Sequence, residues 1–186
     1  AYHGLYAAQL TTVQTPSDTM FGGLFIGSPG NQGVNGGIPY TVQPDSISVY
    51  VKYNIQPNDT AFFIVAFKNS GNMISMAVKT FIGTQLTYKR ISIATNLPVS
   101  PVPDSLVAII SCSNLDPPRM PGSTLTLDSI TMIGTNQPFP NPSFENWTPK
   151  TSEEPDNWTT INFGVAPSSQ LSATKSTNVY NGTYAI

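Results

Sequence analysis

Residues 46–54 read SISVYVKYN, and their apolar and polar side chains alternate without a break. Such alternation is typical of a β-strand that has one buried face and one exposed face. The apolar face comprises Ile47, Val49, Val51, Tyr53 and Ile55, whereas the other face carries Ser46, Ser48, Tyr50, Lys52 and Asn54. This segment therefore predicts a sheet that packs its apolar side against a second layer.

The segments that follow predict further strands. Residues 60–68 (TAFFIVAFK) are apolar on both faces, as in a central strand that is covered on both sides. The short turn NSGN at 69–72 and the segment MISMAVKTF at 73–81 complete the pattern of a hairpin. In STLTLDSITMIG the alternation slips at Asp128–Ser129, which predicts a β-bulge. No stretch shows a sustained 3.6-residue spacing, so the sequence predicts an all-β fold.

Composition narrows the class of protein. Only 10% of the 186 residues are charged, but 39% are hydrophobic, which argues against a disordered chain. The net charge of −2 and the scattered lysines argue against a nucleic-acid partner. No run of about 18 apolar residues occurs, so we expect no membrane span. The 14 glycines, the 17 prolines and the abundant neutral polar residues favour a turn-rich extracellular module.

The two ends of the chain share a short pattern, and this bears on the domain organisation. AYHGLYAAQL at the start matches VYNGTYAI at the end, so that Tyr6 corresponds to Tyr184 and Ala7 to Ala185. Similarity at a fixed offset indicates duplication. We therefore predict a module at 1–134 that lacks its first strand, a Pro-rich linker at 135–140, and a segment at 141–186. That last segment either opens a second, incomplete repeat or completes the first module by permutation or strand exchange.

Three segments carry a resemblance to a known family. NPSFENWTPKTSEEPDNWTT (141–160) resembles the entry strand of carbohydrate-binding modules with a galactose-binding-like jelly-roll fold. GGIPYTVQPDSISVYVKYN (36–54) is similar to a carbohydrate-metabolism domain of secreted Bacteroidetes proteins. GSTLTLDSITMIG (122–134) is similar to the closing strand of such domains. The resemblance implies an all-β jelly-roll sandwich, located outside the cell or on its surface.

That resemblance also implies a function, for which two interpretations stay open. One is a non-catalytic module that binds a polysaccharide or a cell-surface glycan. The other is a structural repeat of a surface stalk, adhesin or filament, whose partners are neighbouring repeats joined by strand exchange. Sugar binding needs an aromatic surface beside hydrogen-bonding groups. On this ground we predict a ligand site at Tyr40, Tyr50, Lys52 and Asn54, whereas Phe144 and Trp147 fit a core better.

The family also implies a structural calcium ion between the first and last strands. Glu145 and Asp128 occupy the matching positions, and main-chain carbonyls would supply other oxygen ligands. The alternative is that Glu145 is an exposed edge residue and Asp128 a turn residue.

Five aspartates are each followed by Ser or Thr and then by an apolar residue, which resembles the O-glycosylation motif of exported Bacteroidetes proteins. The acceptors would be Thr19, Ser46, Thr60, Ser105 and Ser129. An equally good interpretation is that these pairs form turns, because Asp and Ser bond to their own backbone.

An enzymatic function is not expected from the sequence. His3 is the single histidine and Cys112 the single cysteine, and no nucleophile or metalloprotease motif surrounds them. The adjacent pair Glu153 and Glu154 lies in a Pro-flanked segment that is typical of a solvated turn. Cys112 lies within an apolar run, where a buried and inert thiol is expected.

Overall fold

The structure is a computed structural model, and it describes residues 5–30, 33–149, 153–160, 173–176 and 184–185. All regular secondary structure elements in these ranges are β-strands. None of the described residues forms a helix that could cross a membrane. The strands in chain order are β1 (Tyr6–Thr11), β2 (Val13–Gln14), β3 (Thr19–Met20), β4 (Gly23–Ile26), β5 (Ser28–Gly30), β6 (Gly33–Asn35), β7 (Ile38–Pro39), β8 (Ser46–Asn54), β9 (Ala61–Asn69), β10 (Asn72–Phe81), β11 (Thr84–Ala94), β12 (Ser105–Ser111), β13 (Thr124–Ile133), β14 (Trp147–Pro149), β15 (Glu153–Pro155), β16 (Thr159–Thr160), β17 (Ala173–Lys175) and β18 (Tyr184–Ala185).

Two sheets form a sandwich, which confirms the predicted all-β fold. The first sheet has the order β11-β8-β13-β1-β17, with β18 also paired to β1. The second has the order β10-β9-β12-β4-β16, with β7 also paired to β12. The long strands from β8 to β13 are divided between the two layers, and their neighbours run antiparallel. The finer assignment to the jelly-roll class stays a prediction.

The core lies between the two sheets and follows the period of two. Ile47, Val49 and Val51 of β8 are fully buried, as the sequence predicts. Their counterparts on β9 are Phe63, Val65 and Phe67, which are also fully buried and belong to the same cluster. Burial of apolar surface on this scale is the main force that holds the layers together.

Two local predictions are confirmed. β9 and β10 form a hairpin in which Asn69 lies opposite Asn72. The two residues between them, Ser70 and Gly71, have φ angles of 51° and 79°, and positive φ at both central positions is what a type I′ turn requires. The predicted bulge in β13 is present as a register shift between Asp128 and Thr131 against β8.

Part of the segment after residue 140 belongs to this sandwich. β16 pairs with β4 at the edge of the second sheet, and β17 pairs with β1 at the edge of the first sheet. Phe144 is fully buried, and its ring centroid lies 5.1 Å from that of Trp158. Both side chains belong to the common core cluster, and Trp147 packs against that cluster. The division into repeats at 1–134, 135–140 and 141–186 stays a prediction.

β18 lies parallel to β1, and the pairing involves the residues that the two chain ends share. Tyr6 is the Cα partner of Tyr184, and Ala7 is the partner of Ala185. Residues 1–4 of the first matching segment, and 179–183 and 186 of the second, lie outside the described residues. The described part of the shared pattern, the Tyr-Ala pair of each end, is therefore placed side by side in one sheet.

Candidate carbohydrate-binding groove

A polar surface extends across the outer face of the first sheet, on the side away from the core. β8 directs Tyr50, Lys52 and Asn54 to this face, because they alternate with its buried residues. On β13, Thr126 lies opposite Lys52 and Thr124 lies opposite Asn54. Gln9 of β1 continues the row beyond Thr126. The sequence predicted this face correctly along β8, and the sheet extends it over two more strands.

A bulge in the edge strand β11 borders this polar surface on one side. Gln85 lies opposite Tyr53 and Lys89 lies opposite Val51, so three residues of β11 stand against Lys52 alone. The Gln85 side chain donates hydrogen bonds of 2.8 Å and 2.9 Å to the carbonyl and hydroxyl oxygens of Thr87, which fixes the bulge. Extra residues of this kind bend an edge strand and redirect its side chains.

The bulge and the neighbouring strands enclose a small cleft of about 230 Å³. Its described lining consists of Gln9, Lys52, Tyr53, Asn54, Gln85, Leu86, Thr124 and Thr126. A second hollow of about 550 Å³ adjoins it and also includes Asn54. The described residues of this hollow are Asn54, Ile55, Gln56, Pro57, Asn58, Asp59, Thr60, Ile82, Gly83 and Thr84. We call the cleft and the hollow together the β8–β11 groove.

The groove combines apolar and hydrogen-bonding surface. Leu86 and Ile82 are 72% and 70% exposed, and they line the cleft and the hollow respectively. Between them, the Thr84 hydroxyl donates a 2.9 Å hydrogen bond to the side-chain oxygen of Asn54. Amide and hydroxyl groups next to exposed apolar side chains suit a ligand that itself has both apolar C–H faces and hydroxyls.

Lys52 is placed in the cleft by an aromatic contact. Its ammonium nitrogen lies 5.1 Å from the centroid of the Tyr88 ring, within the range of a cation–π interaction. Tyr88 stands in the bulge of β11, so the irregular strand positions the charge. Burial lowers the pKa of Lys52, because removal of water disfavours its charged form.

Asp59 lines the hollow, and its carboxylate is held by hydrogen bonds from the surrounding chain. Its carboxylate accepts hydrogen bonds from the hydroxyls of Ser113 and Ser123 and from the backbone N–H groups of Thr60, Asn114 and Met120, at 2.6–3.1 Å. Burial raises its pKa, but the hydrogen bonds together outweigh burial and hold the pKa below its ordinary value. Asp59 therefore joins the β8–β9 and β12–β13 connections as an ionised acceptor, which is unsuited to donating a proton.

The four predicted ligand residues lie in different environments in the structure. Lys52 and Asn54 line the cleft. Tyr50 is half-buried on the same face and lies between Arg90 of β11 and Asp128 of β13. Tyr40 is fully buried.

The Tyr40 hydroxyl donates a 3.0 Å hydrogen bond to the Gln137 carbonyl, and burial raises its pKa to about 12. A ring without exposed surface cannot stack on a soluble sugar, so Tyr40 lies outside the candidate site. Tyr40 was predicted to contact a ligand, but its ring packs against Phe67 at a centroid distance of 5.8 Å.

Sequence reasoning missed the part of the site that β11 supplies. Gln85, Leu86 and Tyr88 were not predicted, and neither were the threonines of β13. One signal was present, because the alternation along this strand is only loose. A loose pattern is compatible with a bulge. It does not indicate which residues the bulge directs toward β8.

The two predicted calcium ligands have other contacts. Glu145 accepts hydrogen bonds from the backbone N–H groups of Leu5 and Tyr6, at 2.7 Å and 2.8 Å, and so secures the start of β1. Asp128 is fully buried, and burial raises its pKa to about 6. Nowhere in the described ranges do three His, Cys, Asp or Glu side chains come together. Ca²⁺ needs six to eight oxygen ligands, and a calcium site at these two residues stays a prediction.

We expect Glu145→Gln to lower the free energy of unfolding by about 1 kcal/mol, because a neutral amide replaces a charged acceptor of two N–H groups. The loss should be the same with added calcium and with chelator, as measured by thermal denaturation. Asp116→Asn, at an exposed carboxylate, is the control. A wild-type midpoint that falls on adding chelator would instead support the calcium site.

The five candidate glycosylation acceptors are all half-exposed. In four of the five pairs the aspartate accepts a hydrogen bond from the residue that follows it. The donors are the N–H groups of Thr19 and Thr60 and the hydroxyls of Ser105 and Ser129. These are the local bonds that the turn interpretation requires. Glycosylation at these sites and at Ser46 stays a prediction.

Of the residues weighed for catalysis, Cys112 is the one whose side chain the structure describes. It is fully buried, its sulfur lies 3.3 Å from the Thr12 hydroxyl, and burial raises its pKa to about 12. A thiol with so high a pKa is a poor nucleophile. His3 and the side chains of Glu153 and Glu154 lie outside the described part of the structure.

Comparison with known proteins shows similarity at the level of the fold. No protein-family model matches the chain, and no curated protein matches it. A solved structure described as a "putative glycoside hydrolase" from Bacteroides vulgatus has a TM-score of 0.55 and 18% identity, covering 68% of this chain and 72% of that one. A similarly described structure from Bacteroides thetaiotaomicron has a TM-score of 0.51 and 15% identity, covering 70% of this chain. The matched part is 54% of that second protein, so this chain spans about half of its length.

Proposed function

We propose that the chain is a non-catalytic carbohydrate-binding module of a secreted or surface-located bacterial protein, and that it holds a polysaccharide or cell-surface glycan in the β8–β11 groove. The observation that carries the proposal is the groove itself. Amide and hydroxyl groups converge there with the exposed side chains of Leu86 and Ile82. The two structural neighbours, each described as a "putative glycoside hydrolase" of a Bacteroides species, support a carbohydrate-related role.

The shape of the groove favours a chain of sugars over a single one. The cleft is smaller than the ~300–1,000 Å³ that is usual for a ligand pocket, so it suits one sugar ring. The hollow continues from it at Asn54, which lines both. A polymer could thus place one unit in the cleft and extend its next units into the hollow.

The carboxylates near the groove favour binding over hydrolysis. Most glycosidases place two Asp or Glu side chains on either side of the bond that they cleave. Among the described residues that line the groove, Asp59 is the sole acid. Its oxygens already accept hydrogen bonds from three residues of the β12–β13 connection. This arrangement supports the proposal that the groove binds sugars without cleaving them.

We expect Asn54→Ala to weaken polysaccharide binding about 5- to 30-fold, which corresponds to the loss of one or two hydrogen bonds of about 1 kcal/mol each. Isothermal titration with a panel of soluble polysaccharides measures the effect. Asn72→Ala removes an exposed amide from β10 in the other sheet and serves as the matched control. Equal affinity of the Asn54 variant and the wild type would place the ligand elsewhere.

A structural repeat of a stalk, adhesin or filament is the second candidate. One observation favours it: β18 pairs with β1 through Tyr184 and Ala185, opposite the matching Tyr6 and Ala7. A copy or neighbouring repeat could supply the same strand, because the pairing depends on a short segment alone. Failure of the wild type to bind any polysaccharide in the same panel would favour this candidate.

A further inference from the structure

We infer that a pocket at the opposite end of the first sheet is a second ligand site, and that it takes a neutral sugar. Residues 43–45, which lead into β8, and residues 95–99, which follow β11, form its described lining. We call it the Asp45 pocket. Its volume is about 390 Å³, within the ~300–1,000 Å³ that is usual for a ligand pocket. The inference goes beyond the proposed function, because this site is not part of the β8–β11 groove.

The Asp45 pocket and the β8–β11 groove lie far apart on the molecule. Ser46, next to the pocket, and Asn54, in the groove, are the two ends of the nine-residue strand β8. A strand of this length spans about 27 Å. Ala94, which precedes the second lining segment, is the Cα partner of Ser46, so both segments leave the sheet at the same end. A ligand of one or two sugar rings is therefore too short to occupy both sites.

Hydrogen bonds hold the walls of the pocket in place before a ligand arrives. The buried Thr95 hydroxyl donates to the carbonyl oxygens of Pro44 and Asp45, and the Thr95 N–H donates to the Asp45 carbonyl at 3.1 Å. The Gln43 amide donates to the Pro98 carbonyl at 2.6 Å. These bonds join the segment before β8 to the segment after β11. A site that is ordered in advance loses less conformational entropy on binding.

Two exposed polar side chains in the pocket are available to a ligand. The Asp45 carboxylate and the Asn96 amide form no hydrogen bond with any residue that the structure describes. The Asp45 side chain lies against Gly134, where an added Cβ atom would come within 2.3 Å of the Oδ2 atom. Asn96 has a φ angle of 50°, which asparagine tolerates better than most residues do. The backbone at Gly134 thus leaves room for the carboxylate, and Asn96 suits the turn that carries its amide.

These groups match the chemistry of a neutral sugar. An ionised carboxylate accepts hydrogen bonds from hydroxyl groups, and such bonds are stronger than those between neutral partners. The Asn96 amide both donates and accepts. Leu97 and Val99, of which Val99 is 94% exposed, add apolar surface for the C–H face of a sugar ring. The described lining contains no Lys or Arg, so Asp45 would repel an acidic sugar without a cation to compensate.

A titration that reports each site separately tests the inference. Amide signals in nitrogen–proton NMR spectra identify the residues that a ligand contacts, even when binding is weak. The probes are cellobiose, xylobiose, mannobiose and 4-linked galactobiose, with digalacturonate as the acidic counterpart of the last. We expect at least one neutral disaccharide to shift the signals of residues 43–46 and 95–99 until they saturate. Digalacturonate should leave these signals unchanged.

Variants assign this binding to the two available side chains. Asp45→Asn keeps the shape of the side chain and should weaken the binding about 10-fold, because charged hydrogen bonds are lost. Asn96→Gly accepts the positive φ angle and should weaken it about 3- to 10-fold through loss of the amide. Asp116→Asn, at an exposed carboxylate in the β12–β13 connection, is the matched control and should bind as the wild type does. If Asp45→Asn does not fold, Asn96→Gly and Asp116→Asn decide.

The outcomes separate this inference from the proposed function. The inference is overturned if no neutral disaccharide shifts the signals of the two lining segments, or if Asp45→Asn or Asn96→Gly binds as tightly as the wild type. Tighter binding of digalacturonate also overturns it. None of these results bears on the β8–β11 groove, which Asn54→Ala tests. That variant should leave the affinity of the Asp45 pocket unchanged, and a loss there would show that the two are not separate sites.

Discussion

Replacement of Asp59 by asparagine is expected to lower the free energy of unfolding by about 3–5 kcal/mol, because several buried donors lose a charged acceptor at once. Asp59 is 4% exposed. Its carboxylate accepts hydrogen bonds from the hydroxyls of Ser113 and Ser123 and from the backbone N–H groups of Asn114 and Met120, all in the β12–β13 connection. An amide of the same shape offers one acceptor oxygen in place of two, and its own NH₂ group meets donors.

The substitution Asp59→Asn should affect the contact between two segments of the chain, because more than one hydrogen bond depends on this carboxylate. Asp59 follows β8, whereas its donors lie mainly between β12 and β13, so the carboxylate joins segments that are distant along the chain. Donors left without an acceptor in a buried site carry a desolvation penalty of about 1–3 kcal/mol each when water cannot replace the acceptor. We therefore expect the substitution to loosen the end of the sandwich that borders the hollow.

Acid should remove the same stabilisation. In the folded chain the pKa of Asp59 lies below the ordinary value of about 4 for an aspartate, because its hydrogen bonds outweigh the effect of burial. Its contribution is therefore complete above the unfolded-state pKa and is lost as the pH falls through the lower, folded-state pKa. The stability difference between wild type and Asp59→Asn should shrink at pH values below about 4.

Urea denaturation of both proteins across this pH range measures the difference. Asp116→Asn, in the same β12–β13 connection but at an exposed carboxylate, is the matched control and should have little effect. A difference below about 1 kcal/mol at neutral pH, or one that stays constant under acid, would show that Asp59 does not act as an ionised acceptor.

Replacement of Phe144 by alanine is also expected to lower the free energy of unfolding by about 3–5 kcal/mol, because apolar burial is lost and a cavity is left behind. The side chain is fully buried, and its ring lies 5.1 Å from that of Trp158, which in turn lies 5.7 Å from that of Phe139. This aromatic group belongs to the same core cluster as Val49 of β8 and Phe63 of β9.

The same variant tests the domain organisation. If the segment after residue 140 completes this sandwich, Phe144→Ala should shift a single unfolding transition of the entire chain, seen alike by tryptophan fluorescence and by far-ultraviolet circular dichroism. Val99→Ala, at a side chain that is 94% exposed, is the control. Two transitions, of which only the minor one moves, would instead make that segment a separate unit.

Features that depend on neighbouring residues were predictable. The hairpin between β9 and β10 follows from NSGN between two apolar runs, since two residues with positive φ reverse the chain there. The bulge at Asp128–Ser129 follows from a slip in alternation within one strand. The polar face of β8 follows from its period of two, and it supplied Lys52 and Asn54 to the candidate site.

Features that depend on pairing between distant segments were not predictable. Tyr40 was predicted to contact a ligand, but its ring is fully buried and its hydroxyl donates a hydrogen bond to the Gln137 carbonyl. Tyr88 meets Lys52 because β11 carries two more residues than β8 over the same stretch of the ladder. No local pattern shows how two strands are aligned, since alignment depends on every contact that both strands make.

The sequence by itself therefore determined an all-β chain, the faces of its strands and the tight turn between β9 and β10, because each follows from the geometry of an extended backbone. The tertiary structure alone decided which of these faces border a groove, which carboxylate joins the loops, and which aromatic rings are buried. These depend on the register of β11 against β8 and on the packing of the two sheets. Both are settled by the total burial of the folded chain.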